Sequence, residues 1–499
     1  MTNKQAEVAF ESSRLAKKLM DTVSDWETDL ICAVQCRYTE PSGKDLQAND
    51  LAPFAELYAT SMEAVLEKHP NHVDIMSFAV EAMMQLKPWK LFAENGTKIA
   101  KITKKIIEIL ERGLKSFPKH PGLCHLQCHV FEMSSTPHRA LKSADVLRSY
   151  DCDIGHLKHM PAHIDVLVGA YDRAIDASEL AIQADDQYAS LRGAKNFYTL
   201  YRLHDLHMLI YAAMFDGRQS MALGAADKII ETTPKELLYE IPNWVESFMA
   251  MKYHVLIRFG LWTELMSMPF PVDETISANV EQGLLSNNEQ HEASQEDAED
   301  ERLAHAAGVY QVTYVTALYA KAMACAVRGD VAAALRYQQR FERRLALLSR
   351  ERFLFNNRCV DVLAVHAALL DGELKYREAE QQVNDATFEA AFDRLRIAVQ
   401  LYDGLDYEEP WGVMQPVRHA LAALLLEQNH LDEAIAVYNE DLKRNPKNAW
   451  SLVGLQSSLQ KKLKNDDISI DEKKSLKHDL KKVEKELPNA LKSFEHKIK

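Results

Sequence analysis

The sequence predicts an all-α solenoid of stacked helical hairpins. Three observations carry that expectation. The chain is 47% apolar and rich in Ala, Leu, Glu and Lys, with only 17 Gly and 16 Pro in 499 residues, a balance that favours helix interiors over strands or coil. Glycines recur just ahead of alanine-spaced helical stretches, as a turn followed by a close helix crossing requires. Histidines recur in phase at an interval of 34 residues, from His125 to His159 and from His129 to His163.

Taken in order, residues 1–69 read as an N-terminal helical cap, and 70–283 as helical repeats. A first unit is centred on Ala140, and a clearer one runs Gly169-Ala-Tyr171-Asp-Arg-Ala174 to Ala181. Others follow Gly217 (Arg218, Ala222) and Gly329 (Asp330, Ala334), with looser copies around Gly260 and Gly372. Residues 284–305, with Glu289, Glu292, Glu296, Asp297, Glu299, Asp300 and Glu301, read as an acidic flexible loop too charged to bury. Repeats resume over 306–456. The last runs from Leu426 through Ala434 and Tyr438 to Asn445-Pro446 and Trp450. Residues 457–499 carry interleaved Lys and Glu over a thin apolar stripe, as a charged helical cap would.

The glycine turn, the alanine at the crossing and the terminal proline resemble the tetratricopeptide repeat over roughly residues 70–460. That resemblance implies a right-handed superhelix whose concave face takes ligands through positions 2, 5, 9 and 12 of each first helix. His159-Met-Pro-Ala-His163 and Pro410-Trp411 look like a stand-alone, histidine-rich subgroup, and more distantly like the tetratricopeptide repeat protein 38 family. Neither resemblance implies a reaction.

The formal charge of −14 and pI near 5.8 argue against a nucleic-acid partner, which needs concentrated Lys and Arg. Seven cysteines without dense regular spacing fit reduced thiols and a cytoplasmic location. Glu7, Glu11, Lys17 and Lys18 interrupt the opening stretch, unlike a signal peptide. No apolar run reaches the ~20 residues of a membrane span, so no membrane insertion is expected. Phosphate-loop, serine-elbow and dinucleotide fingerprints do not occur.

Nine of the nineteen histidines lie between His120 and His207. The 34-residue interval matches one tetratricopeptide unit, so the paired histidines occupy equivalent places on consecutive first helices. Numbered within the repeat, His125, His129, His159 and His163 fall at positions 5 and 9, His156 and His204 at position 2, His207 at position 5 and Glu132 at position 12. Residues at i, i+4 and i+7 share a helix face, which places His125, His129 and Glu132 together. The same holds for His156, His159 and His163, provided that Pro161 does not delay the helix beyond His156.

Neighbouring helices pack ~8–10 Å apart, near enough for imidazoles on both to meet one ion. The expected ligands of a divalent transition metal (zinc, iron, nickel or copper) are His125, His129, Glu132, His159, His163 and His207. A ligand groove is expected from His156, His204, Tyr211, His254, Tyr319, Arg418 and His419. Together they suit a metal-dependent enzyme, an oxidoreductase or hydrolase, acting on a small-molecule substrate. The rival reading is an adaptor whose groove holds a peptide or protein partner, with the histidines as hydrogen-bond donors.

Overall fold

The computed structural model describes residues 2–38, 43–46, 48–93, 96–276, 295–382, 385–465 and 467–495. Among these residues the regular structure is helical apart from two short hairpins, β1 (Phe92–Ala93) with β2 (Lys98–Ile99) and β3 (Phe353–Leu354) with β4 (Asn357–Arg358). No described helix is long and apolar enough to cross a membrane. The chain divides into two compact units, Met1–Cys152 and Asp153–Lys499. The division falls within the repeat segment 70–283.

The first unit contains α1 (Asn3–Lys18), α2 (Asp25–Gln35), α3 (Ala48–Lys68), α4 (Val73–Met84), α5 (Lys101–Ser116), α6 (Pro121–Glu132) and α7 (Leu141–Arg148). Successive helices from α3 to α7 pack in pairs, and α4 also packs on α6, so hairpin stacks on hairpin. Helix α5 shows why. Ile106, Ile107, Ile109 and Leu110 are buried, whereas Lys101, Lys104, Lys105 and Lys115 are exposed, a two-faced pattern that needs a neighbour on one side only. His120 is explained by the start of α6: its Nδ1 caps the Leu123 amide, its Nε2 meets Asp74 at 3.0 Å, and Pro121 takes the first helical position.

The second unit begins with α8 (Gly155–Leu167), α9 (Tyr171–Arg192), α10 (Thr199–Phe215) and α11 (Gln219–Thr232). Then come the short α12 (Lys235–Glu240) and α13 (Pro242–Val245), α14 (Met251–Arg258), α15 (Trp262–Ser267), α16 (Gln295–Ala307), α17 (Gln311–Val327) and α18 (Val331–Leu347). It ends with α19 (Cys359–Gln382), α20 (Asp385–Asp403), α21 (Val417–Glu427), α22 (Leu431–Arg444), α23 (Ala449–Leu463) and α24 (Ile470–Ala490). Helices α8, α10, α14, α17 and α19 each pack on the next, as first helices of stacked hairpins do. Ala174, Ala222, Ala334 and Ala434 are fully buried on the second helices of their hairpins, where only a methyl group fits between backbones. Leu455 and Leu459 on α23 and Leu476, Val483 and Leu487 on α24 close the one helix on the other, and α24 lies wholly in the expected C-terminal cap.

Two features depart from the sequence reading. The expected acidic loop is helical over Gln295–Ala307, while its residues 284–294 lie outside the described residues. Asp300, fully buried, accepts hydrogen bonds from Tyr314 Oη (2.7 Å), Arg340 Nε (2.9 Å) and Arg344 Nε (2.8 Å). Cations on a distant helix thus neutralise a charge that local composition marks as unburiable.

The second unit also closes on itself. Tyr171 Oη donates to the Pro446 carbonyl (3.1 Å), Trp450 Nε1 to the Met214 carbonyl (3.1 Å) and the Glu495 amide to the Gly217 carbonyl (3.1 Å), while Glu495 Oε2 accepts from the Ser220 amide and hydroxyl. Gly217 permits this junction, since its φ is +72° and a Cβ there would lie 2.3 Å from the Phe494 ring. Gly217→Ala is therefore expected to cost about 1–3 kcal/mol through left-handed strain and to free the segment around Phe494. Urea unfolding together with limited proteolysis reads both; unchanged midpoint and cleavage would refute the assignment.

Candidate metal centre

Helix α8 carries His156, His159 and His163, and the adjacent α10 carries His204, Asp205 and His207. Helix α8 starts at Gly155, early enough to include His156 despite Pro161. The proline forgoes only the amide bond to the Leu157 carbonyl.

His159 and His163, one helical turn apart and both buried, turn their Nε2 atoms toward each other at 2.5 Å. His204 enters from α10, its Nε2 3.3 Å from that of His163. The rings cross at 62–85°, with centroids 4.4–5.5 Å apart. One ring nitrogen from each lies within 4.8 Å of the others.

Behind the rings stand carboxylates. Asp205 Oδ1 is 2.9 Å from His159 Nδ1, and Glu409 Oε1 is 3.9 Å from His163 Nδ1. Asp185 lies against Asp205. Burial, reinforced by Asp205, pushes the Asp185 carboxyl up to about 8, and burial raises Asp205 similarly, so the touching pair retains a proton through neutral pH. Gly155 makes room for this pair, since a Cβ there would sit 2.0 Å from Asp185 Oδ1. Burial, helped by the neighbouring imidazoles, holds His204 well below the usual histidine range. The ring is neutral and offers a lone pair.

Hydrogen bonds among the three rings cannot all be satisfied. With the His159 proton on Nδ1, the nitrogen 2.9 Å from Asp205 Oδ1, its Nε2 bears a lone pair. The single proton that His163 Nε2 can carry serves His159 or His204, never both. A cation met by one unprotonated nitrogen from each ring removes that conflict.

The other expected residues divide between places. Within the first unit, His125 and His129 meet edge-on at 4.6 Å, and His129 Nδ1 is 2.9 Å from Glu132 Oε1, whose carboxylate is buried. In the second unit, His204 rather than His207 joins the pair on α8. His207 is turned away: its Nε2 is 2.8 Å from Met414 Sδ and its ring stacks on Phe355. His254 faces His366 (5.3 Å), which in turn contacts Tyr319 (4.6 Å). Tyr211 lines a cavity of about 20 Å³ with Glu409, Trp411, Arg444 and Asn445, room for one water.

Arg418 and His419 are engaged by carboxylates of the same unit. The Arg418 guanidinium grips Asp403 with two bonds of 2.7 and 2.6 Å, and His419 bridges Arg258 and Asp441 at 2.9 Å each. Of the predicted groove residues, Tyr211, His254, Tyr319 and Arg418 are buried, as is the predicted ligand His207. Asp185, Asp205 and Met414 escaped the sequence reading. Asp205 had a local signal, its place beside His204; Asp185 and Met414 arrive from helix α9 and a distant loop with none.

No protein-family model and no curated protein matches the chain. Among solved structures it is similar to the APC/C hetero-tetramer Cut9–Hcn1, at 14% identity over 88% of this chain and 93% of that one, with a TM-score of 0.24. It is also similar to Naa15/Naa10 bound to HypK-THB (11% identity, 88% and 77% coverage, TM-score 0.21) and to the P58(IPK) TPR domain (13% identity, 79% and 95% coverage, TM-score 0.17). Superpositions this loose transfer no site and no partner.

Proposed function

We propose that the protein is a metal-binding helical-repeat protein in which His159, His163 and His204 hold a divalent transition ion that acts on a small molecule. The observation that carries this is the convergence of three imidazole nitrogens, two of them on buried rings, within 4.8 Å, with too few protons to satisfy one another. Three imidazole nitrogen donors suit zinc, iron, nickel or copper. They leave a further position for water or substrate, the arrangement in which a metal acidifies bound water or polarises a carbonyl. Asp205 fixes the tautomer and orientation of His159, and Glu409 stands behind His163.

Protein purified without a histidine tag is expected to retain about one equivalent of transition metal by elemental analysis, and chelation to lower its thermal midpoint. An ion present at a thousand times its Kd stabilises by about 4 kcal/mol. Metal-free protein whose melting is indifferent to chelator would end the proposal.

A second reading, an adaptor for a peptide or protein, draws support from one place. Tyr188, Leu191, Phe197 and Tyr201 leave apolar side chains exposed where α9 meets α10, and clustered exposed apolar surface is the kind that partners cover. Capture of a discrete partner by wild type and not by Phe197→Ser would favour it.

A further inference from the structure

A second set of buried donors in the same unit is left over once the histidine triad is assigned. His207 is fully buried between Phe248 (5.6 Å, edge-on) and Phe355 (5.6 Å, stacked). Among the described residues its Nδ1 has no hydrogen-bond partner, and its Nε2 faces the thioether of Met414. A neutral imidazole carries one N–H and one lone pair. If the proton is on Nδ1, a buried donor is unsatisfied while a nitrogen lone pair points at sulfur lone pairs. If it is on Nε2, the acceptor is a thioether, among the weakest available, and the Nδ1 lone pair is stranded. Unsatisfied buried polar atoms of this kind call for an ion or a functional reason.

The backbone is arranged to bring that sulfur in. Met414 is buried and adopts φ +63°, a conformation that costs a non-glycine residue energy and persists only where its surroundings impose it. The flanking residues hold it there. Val413 meets His366 through its backbone, and the Gln415 side chain donates to the His254 carbonyl at 3.1 Å. Three consecutive residues of one strap thus engage histidines from α10, α14 and α19.

We infer that His207 Nε2 and Met414 Sδ form a binding site for a soft monovalent ion, cuprous copper. Thioether sulfur with imidazole nitrogen selects Cu(I) over zinc or magnesium. The aromatic enclosure excludes water, so a singly charged, weakly hydrated ion is desolvated there at far lower cost than a divalent one. Burial also lowers His207 to about 3, which keeps the nitrogen free for metal at neutral pH. The site shares no ligand with the triad and stands whether or not the triad binds metal.

The test loads the full chain anaerobically with one equivalent of Cu(I), with and without saturating zinc, and records X-ray absorption at the copper edge alongside competition with a chromophoric cuprous chelator. Wild type is expected to show a sulfur neighbour that zinc and the His163→Ala substitution leave in place. Met414→Leu, which conserves volume, is expected to lose that neighbour and to bind Cu(I) at least about tenfold more weakly. Only nitrogen or oxygen neighbours in wild type, or unchanged affinity in a folded Met414→Leu, would overturn the site. Should Met414→Leu fail to fold, the wild-type spectrum decides by itself.

Discussion

His163→Ala is expected to lower transition-metal affinity at the triad by at least about 100-fold, roughly 2.7 kcal/mol. His163 is the central ring, with Nε2 atoms at 2.5 Å on one side and 3.3 Å on the other. Without it the remaining two imidazoles come from different helices and hold an ion by two bonds only. Asp205→Asn is expected to have a smaller effect, about 10–100-fold, because the amide still occupies the space behind His159 but no longer orients it by charge. Competition against a metal-sensitive chelator dye gives both numbers. The ranking matters more than either value. If His163→Ala binds as tightly as wild type, the ion is held elsewhere or nowhere. If Asp205→Asn were the more severe of the two, the carboxylate would itself be a ligand.

Asp300→Ala is expected to destabilise the second unit by about 3–5 kcal/mol, the usual consequence of removing one partner from a buried ion cluster. The substitution strands the largely buried Arg340 and the Tyr314 hydroxyl, and leaves Arg344 with Glu301 as its remaining carboxylate. Burial raises the Asp300 carboxyl, but the bonds from Tyr314, Arg340 and Arg344 outweigh it and hold the group below its ordinary 3.8. The folded state therefore binds this proton less readily than the unfolded state. Its stabilisation is complete above about pH 4 and is lost as pH falls through the folded-state value. Urea midpoints measured from pH 7 down to acid are expected to fall more steeply in wild type than in Asp300→Asn. Parallel slopes would show that another carboxylate governs acid unfolding.

The same aspartate illustrates what local composition misses. Seven acids between Glu289 and Glu301 make the segment look unburiable, yet Asp300 is the anchor of a helix. Its partners lie forty and forty-four residues away, and no window of neighbouring sequence contains them. Helix α8 is a different kind of miss. Pro161 casts doubt on where the helix begins, and the doubt is resolved because Gly155 can pack against the Asp185 carboxylate, which starts the helix early enough to carry His156.

Sequence by itself determined the hairpin architecture and the axial placement of the histidines. Turn glycines, crossing alanines and a 34-residue phase act over a few turns of helix, where spacing and geometry are nearly the same thing. Tertiary structure decided which rings meet. His204 and His207 are three residues apart, about 60° around one helix, and only the packing of α10 between α8 and α14 turns the first toward His159 and His163 and the second toward Met414. It also decided that His207, Tyr211, His254 and Tyr319 are buried, and it joined Gly217 to Phe494 and Tyr171 to Pro446 across long stretches of chain. Burial, the lowered basicity of His204 and His207, and paired carboxylates follow from that closure, since the low-dielectric interior that creates them exists only once distant segments have come together.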